Sequence, residues 1–164
     1  MMRLKNKKRE KVFLVLHNIR SAYNVGAIFR TADAAGVAKI FLTGYTPAPS
    51  DRFGRPQKDI AKTALGGERS VPWEQAARLA SLFVRLKKEE VALVALEQVP
   101  GALDYKKYIP AYPIALVLGN EVQGISPAVM GRCAAVIEIP MRGTKESLNV
   151  AVAAGIALFR ILDI

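Results

Sequence analysis

The chain has 164 residues, about half of them apolar, which is enough for one domain with a core of its own. Twenty-four Lys and Arg against fourteen Asp and Glu leave a net charge of +10, and that excess points to a polyanionic partner such as nucleic acid. A membrane partner is not expected. No basic amphipathic helix carries bulky apolar anchors, the apolar run 12–16 is too short for a signal peptide, and the run 150–159 falls short of the ~20 residues of a membrane span. The lone cysteine, Cys133, can complete neither an internal disulfide nor a thiol metal set, so a reduced, cytoplasmic, soluble protein without metal is expected.

Residues 1–11 hold six Lys and Arg against Glu10, and read either as a solvated tail or as an arm that contacts phosphates. The apolar run 12–16 then predicts a buried strand. After it, a polar stretch leads into a helix with Asn24 as N-cap, Ile28, Thr31, Ala32 and Ala35 on one face, and Gly36 as its stop. On spacing alone Asn24 is a cap and Arg30 a solvated helix residue.

A second strand over 39–43 completes a strand–helix–strand unit and predicts parallel pairing. The following stretch to Trp73 is rich in Pro, Gly and basic residues and too long for an ordinary connection, so it reads as a substrate-binding insertion with a short helix over 58–64. Phe53 and the basic residues Arg52, Arg55, Lys58, Lys62 and Arg69 suit that role.

Residues 73–86 predict a helix with Ala76, Ala77, Leu79, Ala80 and Phe83 inward; 91–96 and 114–118 predict strands, with a polar connection between them. Gly119 and Gly124 follow the second of these, where small residues admit a close neighbour. Ser126 and Pro127 open another helix, and 134–139 forms a fifth strand ended by Pro140. A polar turn with Ser147 and Asn149 as candidate caps then leads into a helix whose small Gly155 suggests a closely approaching neighbour, with Leu148, Ala151, Val152, Gly155 and Ile156 at helical spacing. The order of elements makes the fold α/β, a mostly parallel sheet flanked by helices, with ligand-like turns at strand ends. Neither a dinucleotide fingerprint, a P-loop nor a Cys/His cluster is present; His17 stands alone, and nothing in the sequence brings Asp33 and Glu121 together as an acid–base pair.

Three segments in order, 24–30 (NVGAIFR), 118–124 (LGNEVQG) and 139–149 (IPMRGTKESLN), resemble the motifs of the SpoU (TrmH) family of RNA ribose 2′-O-methyltransferases, which belongs to the SPOUT superfamily. The resemblance implies a single methyltransferase domain over 12–164 with a C-terminal trefoil knot. It also implies S-adenosylmethionine bound in a bent form by Leu96, Leu118, Gly119, Asn120, Glu121, Ile139, Met141, Ser147, Leu148 and Asn149. A homodimer whose active site draws on both chains follows as well. Arg30 matches the family's catalytic arginine, with Asn24, Ser147 and Glu121 in support. Because a guanidinium stays protonated, Arg30 is expected to orient the 2′-hydroxyl and stabilise developing oxyanion charge rather than act as a base. Arg20, Arg30, Arg52, Arg55 and Lys58 are the expected RNA contacts. The chain resembles compact members without an added RNA-binding domain, and by analogy tRNA is favoured over rRNA as substrate. A non-catalytic RNA-binding relative is the alternative, and a nucleotide-dependent oxidoreductase is opposed by the missing fingerprint.

Overall fold

The computed structural model describes residues 10–164, so most of the basic arm expected over 1–11 lies outside the described residues. The first long apolar run forms β1 (Val12–His17), followed by α1 (Ala22–Ala35) and β2 (Lys39–Thr43), which pairs with β1 in parallel. Gly36 ends α1 in the left-handed conformation at φ 73°, where its lack of a Cβ removes the usual penalty.

The long stretch after β2 contains α2 (Lys58–Ala64), as expected, and the single turn α3 (Gly67–Ser70). Gly26 of α1 is what lets α2 come near: a Cβ there would stand 2.0 Å from the Thr63 hydroxyl and 2.4 Å from the Ile60 carbonyl oxygen.

Two expectations are corrected next. Trp73–Gln75 is not the start of a helix but β3, a parallel edge strand beside β2, and the helix α4 begins only at Leu79 and runs to Lys88. Its buried side chains are Leu82, Phe83 and Leu86, while Ala77 and Ala80 are exposed. After β4 (Ala92–Leu96), the connection read as merely polar contains the short strand β5 (Leu103–Asp104). Then come β6 (Ile114–Leu118), the one-turn α5 (Pro127–Met130) capped by Ser126, β7 (Ala135–Glu138) and α6 (Val150–Leu162).

Among the described residues, seven strands join one parallel sheet in the order β3-β2-β1-β6-β4-β7-β5. Both faces of its centre are covered, which explains why β6 is apolar at every position. Alternate residues divide the core. Leu14, Leu16, Ile40, Leu42, Leu116 and Leu118 pack beneath α1, α2 and α6, while Val15, Phe41, Leu93, Ala115 and Val117 pack against α4. Each fully buried Leu or Phe contributes about 1.5–3 kcal/mol, so the central strands fix the frame on which the turns stand. Because β6 is inserted between β1 and β4, the chain reverses direction across the sheet there, and a crevice opens at the carboxyl ends of these strands.

In α6 the buried residues are Ala154, Ala157, Leu158 and Ile161, whereas Val152 and Ile156, read from the sequence only as lying at helical spacing, are exposed. Gly155 has no tight neighbour: a Cβ there would meet only the Thr31 methyl group at 3.5 Å, an ordinary contact.

Candidate active site

Three turns at the carboxyl ends of β4, β6 and β7 enclose a cavity of about 340 Å³. Leu96, Leu118, Gly119, Asn120, Glu121, Ile139, Met141, Ser147 and Leu148 all line it; of the residues expected at a cofactor, Asn149 alone does not.

The turn after β6 is built from its own side chains. Asn120 is buried and spends every polar atom: its Oδ1 accepts the N–H groups of Val122 (2.8 Å) and Gln123 (2.7 Å), and its Nδ2 donates to the Asn18 carbonyl (3.1 Å) and the Tyr45 hydroxyl (2.9 Å). The Gly124 N–H closes the turn onto the Asn120 carbonyl at 2.9 Å. Gly119 must be a glycine, since a Cβ would lie 2.5 Å from the Ile125 side chain and 2.8 Å from the Gly124 carbonyl.

Glu121 leaves this turn to reach the start of α1. Its carboxylate accepts the backbone N–H groups of Arg20 (3.0 Å) and Ser21 (3.1 Å) and the Asn24 side-chain amide (3.1 Å). Ser21, not Asn24, is the N-cap of α1; its hydroxyl accepts the Asn24 N–H at 3.2 Å. Asn24 therefore occupies the third helical position. In a capping box an acid at that position would satisfy the cap's own N–H, and here Glu121 does so from another loop. Burial raises the Glu121 carboxyl, but the donors outweigh it: the Arg20 N–H first, then the Asn24 amide, its own N–H and the Ser21 N–H leave it below the ordinary carboxylate value.

The chain of bonds continues into α6. Asn24 Oδ1 accepts from Asn149 Nδ2 at 3.0 Å, and Asn149 Oδ1 caps α6 by accepting the Ala151 (2.8 Å) and Val152 (3.4 Å) N–H groups. Both amide orientations are forced, since only the NH₂ of Asn24 can face a carboxylate and only the oxygen of Asn149 can face N–H donors. Glu121, Asn24 and Asn149 thus tie the β6 turn, α1 and α6 together. Of the two caps expected for α6, Asn149 fills the role, while exposed Ser147 faces the cavity.

Arg30 stands apart. It is exposed on α1, six residues and so about 9 Å along the axis beyond Asn24, and does not line the cavity. Asp33 accepts from the Ser70 hydroxyl at 2.6 Å near the far end of α1, so it forms no pair with Glu121. Arg20 is exposed beside the Glu121 carboxylate, while Arg52, Arg55 and Lys58 lie on the segment after β2.

One residue here escaped the sequence reading. Glu97, directly after β4, lines the cavity and accepts the N–H groups of Gln98 (3.0 Å) and Ile125 (2.8 Å). An acid at the end of an apolar strand is the signal that marks it. His17 is structural: its Nε2 accepts from the Asn18 amide (3.2 Å), so Nδ1 carries the proton and donates to the Thr43 hydroxyl (2.9 Å), with burial lowering its pKa.

Residues 11–159 match the model of the SpoU rRNA Methylase family. The chain belongs to that family. Among SpoU relatives it is 35% identical over 148 residues to the 23S rRNA (guanosine-2'-O-)-methyltransferase RlmB of Salmonella typhi, covering 89% of this chain and 57% of that one. The fold matches an AdoMet-bound rRNA methyltransferase from Sinorhizobium meliloti with a TM-score of 0.82, at 30% identity over 93% of this chain and 56% of that one. The TrmH/SpoU tRNA modifying enzyme of A. aeolicus matches with a TM-score of 0.81 at 26% identity, covering 94% and 75%. The chain thus spans little more than half the length of the RlmB relative. The trefoil knot expected of the C-terminal half is implied by SpoU membership rather than by the strand order.

Proposed function

We propose that this chain transfers a methyl group from S-adenosylmethionine to a ribose 2′-hydroxyl of RNA, as a cytoplasmic homodimer. The observation that carries the reading is the cavity at the β4, β6 and β7 turns, set directly against the Glu121–Asn24–Asn149 chain. Its donor set fits the cofactor. Leu96, Leu118, Ile139, Met141 and Leu148 offer apolar carbon for a nucleoside and thioether, and the acidic residues Glu97 and Glu146 line the same space, which suits a cationic ligand.

When bound, the cofactor supplies an electrophilic methyl group on a sulfonium. The protein's part is placement. Glu121, Asn24 and Asn149 hold the β6 turn, α1 and α6 in register, and Ser147 lines the cavity. The Arg30 guanidinium orients the 2′-hydroxyl and its neighbouring phosphate and stabilises charge developing on the oxygen. Its distance from Asn24 on the same helix supports a site shared with a second copy of the chain, and the exposed apolar stripe of α6 supports that pairing. Arg20, Arg52, Arg55 and Lys58 supply cationic contacts on the same edge of the sheet.

The substrate pool we place first is tRNA, in line with the A. aeolicus relative; the higher identity to RlmB favours rRNA as the second reading. Labelled methyl transfer into tRNA and rRNA that lack their native modifications, followed by digestion to nucleosides, separates the two. A 2′-O-methylnucleoside from one pool is expected. Arg30→Ala is expected to lose roughly a hundredfold or more in turnover with cofactor affinity nearly unchanged. Unchanged turnover would remove Arg30 from the mechanism, and no transfer to either pool would overturn the reading.

A further inference from the structure

The segment between β2 and α2 presents an aromatic ring that nothing in the cofactor site uses. Phe53 is 67% exposed at the tip of a tight turn. That turn is held by Asp51, whose Oδ1 accepts the N–H groups of Phe53 (2.8 Å) and Arg55 (3.0 Å) and whose Oδ2 accepts from Arg55 Nε at 2.7 Å. The backbone closes around it: the Asp51 N–H donates to the Arg55 carbonyl and the Gly54 N–H to the Asp51 carbonyl, both at 3.0 Å, and Ser50 bridges to Pro56. The Arg55 N–H, more than the other donors, keeps the Asp51 carboxyl below its ordinary value, so the clamp is charged at neutral pH.

Among the described residues the ring belongs to neither apolar core. The guanidinium carbons of Arg52 and Arg55 lie 4.7 and 5.2 Å from its centroid instead. An exposed phenyl group with two guanidinium groups close to it suits a ligand that is flat, aromatic and negatively charged beside its ring. A nucleobase with its flanking phosphates has all three properties, and its π-face is available only when the base is unstacked. The turn also lies on the right edge: it follows the carboxyl end of β2, beside β1, and Tyr45 of the same connection accepts from Asn120 in the cavity turn.

We propose that Phe53 is a stacking platform for an unpaired base of the RNA substrate, with Arg52 and Arg55 holding the phosphates on either side. This rests on RNA being the substrate and adds that the segment near the platform is single-stranded. Phe53 has no hydrogen-bonding group that reads a base edge, so the platform grips without choosing among bases.

The test is binding rather than turnover, measured without cofactor by fluorescence anisotropy of a short single-stranded RNA and of the same strand in a duplex, at one salt concentration. Phe53→Leu keeps apolar bulk and removes the π-face; it is expected to weaken single-strand binding by roughly fivefold to a hundredfold. Phe53→Trp is expected to bind at least as tightly as the native chain, with tryptophan quenching by RNA beyond that of native Trp73. Duplex affinity should change by less than about twofold in both variants, and melting should be unaffected because the ring is exposed. Single-strand binding of Phe53→Leu within about twofold of native, an equal loss on the duplex, or a native chain that binds neither RNA would each overturn the platform. Since methyl transfer is assayed separately, an active enzyme indifferent to Phe53→Leu would sink this inference alone, and Phe53-dependent binding without any transfer would sink the enzymatic reading alone.

Discussion

Glu97 shows how one side chain positions a binding site. Its two oxygens accept N–H groups from two different loops, Gln98 on its own and Ile125 beyond the β6 turn, and a Cβ on Gly124 would lie only 2.4 Å from the carboxylate. The cavity keeps its width because these loops are pinned together, so Glu97 is a positioning residue whatever it touches in a bound ligand. Hydrogen bonds to a charged acceptor contribute about 1.5–3 kcal/mol each, less where water reaches them. Glu97→Ala is therefore expected to weaken S-adenosylmethionine binding about tenfold or more by calorimetry, while Glu97→Gln, which keeps one acceptor oxygen, recovers part of the loss. Equal cofactor affinity in all three proteins would show that the loops hold themselves. The signal for this residue was local, an acid at a strand end. The true cap of α1 was harder to read, since Ser21 and Asn24 are both good cap residues and only Glu121, a hundred residues away in the chain, decides between them.

At the scale of elements, the apolar strands and the long helices were legible because burial on both sheet faces writes itself as uninterrupted apolar runs. The edge was not. Residues 73–75 carry no apolar run, and the alanines after them satisfy a helical period, so the segment reads as helix. What makes it a strand is tertiary: β3 pairs with β2, and Glu74 on it accepts from Lys39 Nζ at 2.7 Å and Arg85 Nη2 at 2.6 Å, both cations also lying over the Phe41 ring. The Lys39 hydrogen bond is the main reason the Glu74 carboxyl sits below its ordinary value of 4.5; burial opposes it, and Arg85 adds to it. A carboxyl whose pKa is lowered by folding stabilises the fold above its unfolded value, and that stabilisation fades as pH falls through the folded value. These side chains are partly exposed, so the network contributes about 1 kcal/mol at neutral pH. Glu74→Gln is accordingly expected to lower stability by about that much at pH 7 in urea titrations, with the gap to the native chain closing below pH 4.5. A gap independent of pH would mean that packing, not charge, holds the edge strand.

For the whole molecule, the outer face of α6 is apolar and uncovered in a single chain. Leu148, just before α6, and Val152, Ile156 and Phe159 on it are 36–51% exposed and fall at spacings of four, four and three residues, one stripe continuing along a helix whose other side is core. A face that is apolar on both sides of a helix is expected of an element buried between two bodies. Helical spacing alone does not separate this face from the core-facing one, because both are apolar. On the proposed mechanism, the separation of Arg30 from Asn24 also fits a site shared between two copies of the chain. Val152 is the most exposed of the four, so a carboxylate there costs the folded monomer little, whereas burying it unpaired in an interface costs several kcal/mol. Val152→Glu is therefore expected to convert a dimer into a monomer by sedimentation equilibrium, with the circular dichroism of the native chain and with methyl transfer lost. Transfer retained by a proven monomer would place the whole active site within one chain and leave α6 without a part in it. A dimer that survives the charge would move the interface to another face.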